Sequence, residues 1–211
     1  MSFDVHQGQP ILQAGESMER ADRLVILLHG RGATAESMLS LSESLQSANT
    51  CFWLPQAAGN RWYPNTAFGP LEPNEPDLSS ALSLVSNLID QAAAAGISKE
   101  SILLGGFSQG ACLAAEYLVR NPDRYGGLFV FSGALIGPPG KVRVLIGDLR
   151  ETPAFLGLGD RDPWVALDVF EEAGRVITDL GGLVDKRIYP GMGHTINQEE
   201  IELVRQMIAS T

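Results

Sequence analysis

Apolar residues along this chain fall into two kinds of pattern. Short continuous runs at residues 24–28, 51–54, 102–104, 127–131 and 154–158 have strand length and no polar alternation. Such runs suit strands buried on both faces of a parallel sheet. Residues 183–189 complete the series as a last strand. Between the runs, apolar residues recur at helical spacing: Met38, Leu41 and Leu45; Leu78, Leu82, Val85, Ile89 and Ala92; Val165, Val169, Ala173, Val176 and Leu180; Ile201, Val204 and Ile208. Boundary residues agree with this division. Thr34 is an N-cap for a helix running to about Ala48, and Asp77 caps the second helix, which Gly96 ends. Pro163 suits the first turn of the third, which Gly181 ends, and Asn197 with Glu200 forms a capping box for the last. Residues 5–12 read as an edge hairpin around Gly8, and residues 16–21 as a helical turn. Within residues 137–152 only a short strand at 142–146 is discernible. Alternating strands and helices predict an α/β fold, a mostly parallel central sheet with helices on both faces, as a single domain over residues 1–211 without an inserted cap domain.

Composition narrows the function classes. The chain has 211 residues, 45% hydrophobic and 19% charged, which is enough apolar material for one sizeable core. Its net charge of −10 argues against nucleic acid and against docking on anionic lipid, both of which need a basic surface. Cys51 and Cys112 have neither metal spacing nor the makings of a disulfide framework, and read as small hydrophobes. The N-terminal residues lack a basic region followed by an apolar one, and no run approaches membrane-span length. A cytoplasmic protein is expected, with no metal and no cofactor.

One stretch carries chemistry. The apolar run at 102–104 leads through Gly106-Phe107-Ser108-Gln109-Gly110 into a long apolar segment. Strand, sharp turn and helix with serine at the apex is the context of a nucleophile elbow. A serine hydroxyl needs an adjacent base, and histidine suits neutral pH. Of the three histidines, His6 lies near a peripheral terminus, His29 lies in a strand-end loop, and His194 alone follows Ser108. Serine, acid, histidine is the chain order of an α/β-hydrolase triad. Asp160 and Asp162 both lie past the strand at 154–158, and Asp162 is favoured because it stands further out, just before Pro163. Asp148 and Asp168 are poorer candidates. An oxyanion would need two backbone N–H donors: Gln109, after the nucleophile, and Arg31 (Gly32 second) in the loop His29-Gly30-Arg31-Gly32.

With these pieces in hand, the chain resembles the phospholipase/carboxylesterase family of small serine α/β-hydrolases, to which acyl-protein thioesterases also belong. The matching motifs are Leu28-His29-Gly30-Arg31-Gly32, Gly106-Phe107-Ser108-Gln109-Gly110, Gly159-Asp160-Arg161-Asp162-Pro163 and Gly191-Met192-Gly193-His194. The resemblance implies Ser108, Asp162 and His194 as the triad, and Arg31 and Gln109 as oxyanion donors. Three departures stand out. The thioesterase branch has His-Gly-Leu-Gly-Asp where this chain has His29 to Ala33, and Trp-Phe-Asp where it has Trp62-Tyr63-Pro64. After Asp-Pro, the family often has Val-Pro, against Val165-Ala166 here. The first two look more like a bacterial carboxylesterase branch.

The long aromatic loop at residues 56–76 is the material for an acyl pocket. Trp62, Tyr63, Phe68, Trp164 and Met192 are the expected substrate-binding residues. The expected activity is hydrolysis of short- to medium-chain carboxylic esters through an acyl-enzyme. The alternatives are a lysophospholipase or acyl thioesterase and, in another class, a non-catalytic hydrolase-like binding protein. The expected partner is a small acyl ester. The apolar helix faces are as compatible with a homodimer as with a monomer.

Overall fold

A computed structural model describes residues 4–211. The leaderless reading of Met1 to Phe3 lies outside the described residues. Among those residues, seven strands form one sheet in the order β1-β3-β2-β4-β5-β6-β7. They are β1 (Ile11–Gly15), β2 (Arg23–Leu28), β3 (Thr50–Pro55), β4 (Ile102–Phe107), β5 (Gly127–Phe131), β6 (Pro153–Gly159) and β7 (Leu183–Tyr189). All neighbours are parallel except β1, which runs antiparallel to β3 at the edge. The central strands β2, β4 and β5 are buried along almost their whole length, which is why their sequences show no alternation.

Helices cover both faces. On one side, α2 (Asp77–Ala94), α3 (Gln109–Arg120) and α4 (Leu167–Asp179) pack on Leu24, Ile26, Leu104, Leu128, Val130 and Leu156. On the other, α1 (Leu39–Ser44) and α5 (Gln198–Ser210) pack around Val25, Leu27, Phe52, Phe129, Phe131 and Phe155. Cys51 and Cys112 are buried and unbonded to each other. The capping box at Asn197 and Glu200 forms as expected, and Gly96 takes a positive φ just past α2.

Several local expectations need correction. Residues 5–8 form a turn, and the following strand pairs with β3 across the sheet rather than making a hairpin. The first helix opens as a 3-10 turn at Glu36–Met38 and stops at Ser44, short of Ala48. Thr34 still accepts the Ser37 N–H through its hydroxyl at 3.3 Å. Asp77 is the first residue of α2, not its cap; the Ser79 N–H donates to the Glu75 carboxylate instead. Pro163 stands in a loop, because α4 starts only at Leu167.

Residues 142–146 form no strand. They have no regular structure, and Val142, Val144 and Ile146 are turned to solvent. The segment pairs with no strand of the sheet, so its strand-like sequence forms no ladder. The segment is held instead by a buried ion pair. Arg143 Nη1 lies 3.0 Å from the Glu116 carboxylate on α3, and its Nη2 donates to Ile136 O at 2.6 Å.

Candidate active site

The loops that follow β2, β4, β6 and β7 meet at one end of the sheet, where parallel α/β sheets bind ligands. At the centre, Ser108 sits between β4 and α3 with φ 56° and ψ −119°. That backbone costs a non-glycine residue on the order of 1–3 kcal/mol and persists because its surroundings hold it. The Ser108 N–H donates to Phe131 O at 2.9 Å, and its carbonyl accepts the Cys112 N–H at 3.0 Å. The glycines of the motif are explained by one atom. A Cβ on Gly106 would lie 2.3 Å from the Leu28 carbonyl oxygen, and one on Gly110 would lie 2.2 Å from it. The elbow can therefore press against the end of β2 only if both positions lack side chains.

His194, in the turn after β7, accepts the Ser108 hydroxyl at Nε2 (2.9 Å) and donates from Nδ1 to Asp162 Oδ2 (2.7 Å). The other Asp162 oxygen, Oδ1, accepts the N–H groups of Trp164 and Val165 at 2.8 and 3.0 Å. Those bonds fix the carboxylate, whose side chain is fully buried while that of His194 is 18% exposed. Phe107 packs on the imidazole, ring centroids 4.8 Å apart. Asp160 has a different place: its Oδ1 accepts the Gly191 N–H at 2.6 Å and braces the turn that carries His194.

The loop after β2 lies against the elbow. A Cβ on Gly30 would stand 3.4 Å from that of Ser108. Gly32 N–H is committed to Asn60 O at 2.7 Å, which removes it as a free donor. Among the described residues, the N–H groups of Arg31 and Gln109 have no intrachain acceptor. His29 is buried and holds the loop by donating from Nδ1 to Gly30 O (2.8 Å) and accepting the Ala57 N–H at Nε2 (3.0 Å). Burial pushes its pKa down, in keeping with a neutral ring.

A cavity of about 560 Å³ opens beside Ser108. Its walls include Tyr63, Phe68, Phe107, Trp164, Val165 and His194. Of the five residues expected to bind substrate, Tyr63, Phe68 and Trp164 line this cavity. Trp62 and Met192 do not. Trp62 is fully buried behind the wall, its indole N–H donating to His29 O at 2.8 Å. Met192 supports the turn from below: its carbonyl accepts the Arg161 N–H at 3.0 Å and its sulfur accepts an Asn197 amide N–H at 3.3 Å.

Other side chains of the cavity were not visible in the sequence. Ser132 and Cys112 stand in its wall, and Arg31, expected only as a backbone donor, lends it a side chain as well. The Arg31 guanidinium donates to Pro64 O at 2.8 Å and to Asn65 O, tying the wall to the loop after β2. Burial pushes the Cys112 thiol up to about 11, so it is protonated and unreactive. The side chain of Gln109 was invisible as a functional group. Its Oε1 accepts the Trp62 N–H (2.9 Å) and its Nε2 donates to Tyr63 O (2.8 Å), so the residue after the nucleophile also holds the aromatic wall. The only signal for this was its amide, a paired donor and acceptor in an otherwise apolar helix start.

Known proteins resemble this chain over most of its length. The family model described as Phospholipase/Carboxylesterase matches residues 11–211. The chain belongs to the phospholipase/carboxylesterase family. A crystal structure of a phospholipase/carboxylesterase from Dyadobacter fermentans DSM 18053 superposes with a TM-score of 0.90 at 39% identity, covering 95% of this chain and 96% of that one. Acyl-protein thioesterase 1 of Kluyveromyces lactis is 28% identical over 94% of this chain and 96% of its own length. Acyl-protein thioesterase 1 of Eremothecium gossypii is 31% identical over 84% and 83%. The phospholipase/carboxylesterase chain therefore has the α/β-hydrolase fold and stands among hydrolases. Among its described residues no group of side chains is placed to hold a metal ion, and no helix is long and apolar enough to cross a membrane.

Proposed function

We propose that this chain is a serine carboxylesterase acting on small carboxylic esters, with Ser108, His194 and Asp162 as its triad. The observation that carries the reading is the continuous hydrogen-bond chain from Ser108 Oγ through His194 to Asp162, at 2.9 and 2.7 Å. His194 Nε2 takes the hydroxyl proton as Ser108 Oγ attacks the ester carbonyl. Asp162 fixes the tautomer and stabilises the imidazolium that forms. The carbonyl oxygen becomes an oxyanion, received by the N–H groups of Arg31 and Gln109, the latter at the positive end of α3. Collapse of the tetrahedral intermediate expels the alkoxide, which takes its proton from His194 and leaves the acyl group on Ser108. Water, deprotonated by His194, repeats the attack and releases the acid. The whole site is read as belonging to one domain.

The acyl group is proposed to lie among Tyr63, Phe68 and Trp164. A cavity of about 560 Å³ falls in the range of small-molecule sites, which supports short to medium acyl chains. The test is hydrolysis of p-nitrophenyl butyrate. Ser108→Ala is expected to lower kcat by at least about 10³-fold with the fold retained, and full turnover by that variant overturns the assignment. A fluorophosphonate probe should label Ser108 in the folded protein; absence of label would favour a binding protein instead. The thioesterase names of the fungal relatives favour a second reading, an acyl thioesterase. Matched esters and thioesters from butyryl to palmitoyl separate the two, since the second requires turnover of long acyl thioesters.

A further inference from the structure

We propose that His6, on the segment ahead of β1, is a positioning residue for the substrate cavity, clamping the backbone behind its aromatic wall. The proposal rests on the ester-hydrolase reading for its kinetic readout. His6 precedes every strand and helix of the fold, yet it is fully buried. Both ring nitrogens bind the backbone of the 56–76 loop: Nδ1 accepts the Ala58 N–H at 3.1 Å, and Nε2 donates to Trp62 O at 3.0 Å. The segment is itself anchored on α2. The His6 N–H donates to Ser80 Oγ at 3.0 Å, and that hydroxyl donates to Asp4 Oδ1 at 3.0 Å.

Two more side chains hold the same stretch from other directions. His29, at the end of β2, takes the Ala57 N–H, and Gln109, at the start of α3, takes the Trp62 N–H and donates to Tyr63 O. The Trp62 indole lies between the two imidazoles, with centroid separations of 5.6 and 4.9 Å. Buried loop backbone has no ladder to satisfy it and must find partners elsewhere. A neutral imidazole supplies one donor and one acceptor at a fixed spacing, which is what Ala58 and Trp62 present. Tyr63 to Phe68, which follow directly, line the cavity, whereas His6 does not. Ser108, Asp162 and His194 are held through other elements and share no bond with His6. The stretch also touches the loop bearing Arg31, through Asn60 O on the Gly32 N–H and the Trp62 indole on His29 O, so loss of the clamp should loosen substrate binding most and the chemical step less.

The full chain and its His6→Phe and His6→Gln variants are compared after titrating active sites with a fluorophosphonate. With p-nitrophenyl butyrate, His6→Phe is expected to raise KM by about tenfold while kcat per titrated site falls by a smaller factor. His6→Gln, which keeps an amide able to serve one of the two backbone groups, should recover part of that loss. Hydrogen exchange should quicken at residues 57–63 and stay unchanged in α3. A variant that merely folds less well lowers the titrated fraction and leaves KM unchanged, and that result overturns the proposal, as does unchanged exchange at residues 57–63. Should His6→Phe fail to fold, His6→Gln decides by the same KM and exchange criteria. If the unmodified protein neither labels nor turns over esters, the ester-hydrolase reading has failed, and hydrogen exchange alone decides the clamp.

Discussion

Two irregular stretches of this molecule, residues 56–76 and residues 137–147, share a shortage of regular structure and little else. The first is bound into the body from several sides. Gln56, His6, His29, Arg31 and Gln109 all bond its backbone, and within it Asn74 accepts the Asn65 N–H and donates to Thr66 O. The second is held chiefly by Arg143 on Glu116 and by the Gly140 N–H on Glu172. It turns Val142, Val144 and Ile146 outward at 91%, 84% and 78% exposure. Order in a loop is set by how many of its buried polar groups find side-chain partners, not by its length or its polarity. The loop rich in such partners is the one that walls the cavity.

The sharpest way to break the contrast is to remove the carboxylate that holds the second stretch through Arg143. Glu116→Leu leaves the largely buried Arg143 without its carboxylate and removes the acceptor for the Ile136 N–H. The expected loss is about 3–5 kcal/mol, read from urea unfolding. Cutting one of several anchors of the first stretch should cost less. Gln109→Leu strands the Trp62 N–H and the Tyr63 carbonyl, for about 2–4 kcal/mol by the same measurement, with the Gln109 backbone N–H untouched.

A third irregular stretch, the turn bearing His194, sharpens the comparison through pH. Burial pushes the Glu200 carboxyl up to about 7, and its Oε1 has no partner. Because the folded value lies above the unfolded one, the neutral form is favoured in the native state. Its contribution is complete below about pH 4.5 and is lost as pH rises through about 7. Glu200→Gln keeps the side-chain oxygen that caps Asn197 and removes the ionisation. It should raise the unfolding free energy relative to the parent increasingly between pH 5 and pH 8, by at most about 3 kcal/mol at the upper end. A constant difference across that range would sink the explanation. The smallest effect belongs to the exposed strip: Val144→Ser should change stability by less than about 0.5 kcal/mol.

Much of the site was legible in the sequence because its requirements are local. A serine on a tight turn needs Gly106 and Gly110 beside it, and the Leu28 carbonyl shows why. The order Ser108, Asp162, His194 follows from the order of strands, and His194 was the sole histidine after the serine. What was not legible depended on direction. Trp62 and Tyr63 are adjacent and both aromatic, yet one faces the body and the other the cavity. His6 was read as peripheral, because nothing local announces that a turn ahead of the first strand will be buried by a loop some fifty residues away. Residues 142–146 carry a strand's composition, but a strand needs a neighbour, and this segment pairs with none of the seven.

By itself, then, the sequence determined the sheet, the helices that cover it and the strand ends that bear Ser108, Asp162 and His194. Apolar period, glycine and capping residues act within a few positions of chain, so they can be read along it. Tertiary structure alone decided that Gly32 is spent on Asn60, that Asp160 braces the turn bearing His194, and that His6, His29 and Gln109 converge on one loop. Those are matters of which polar group lies within bonding distance of which, and that distance is set by packing between elements far apart in the chain.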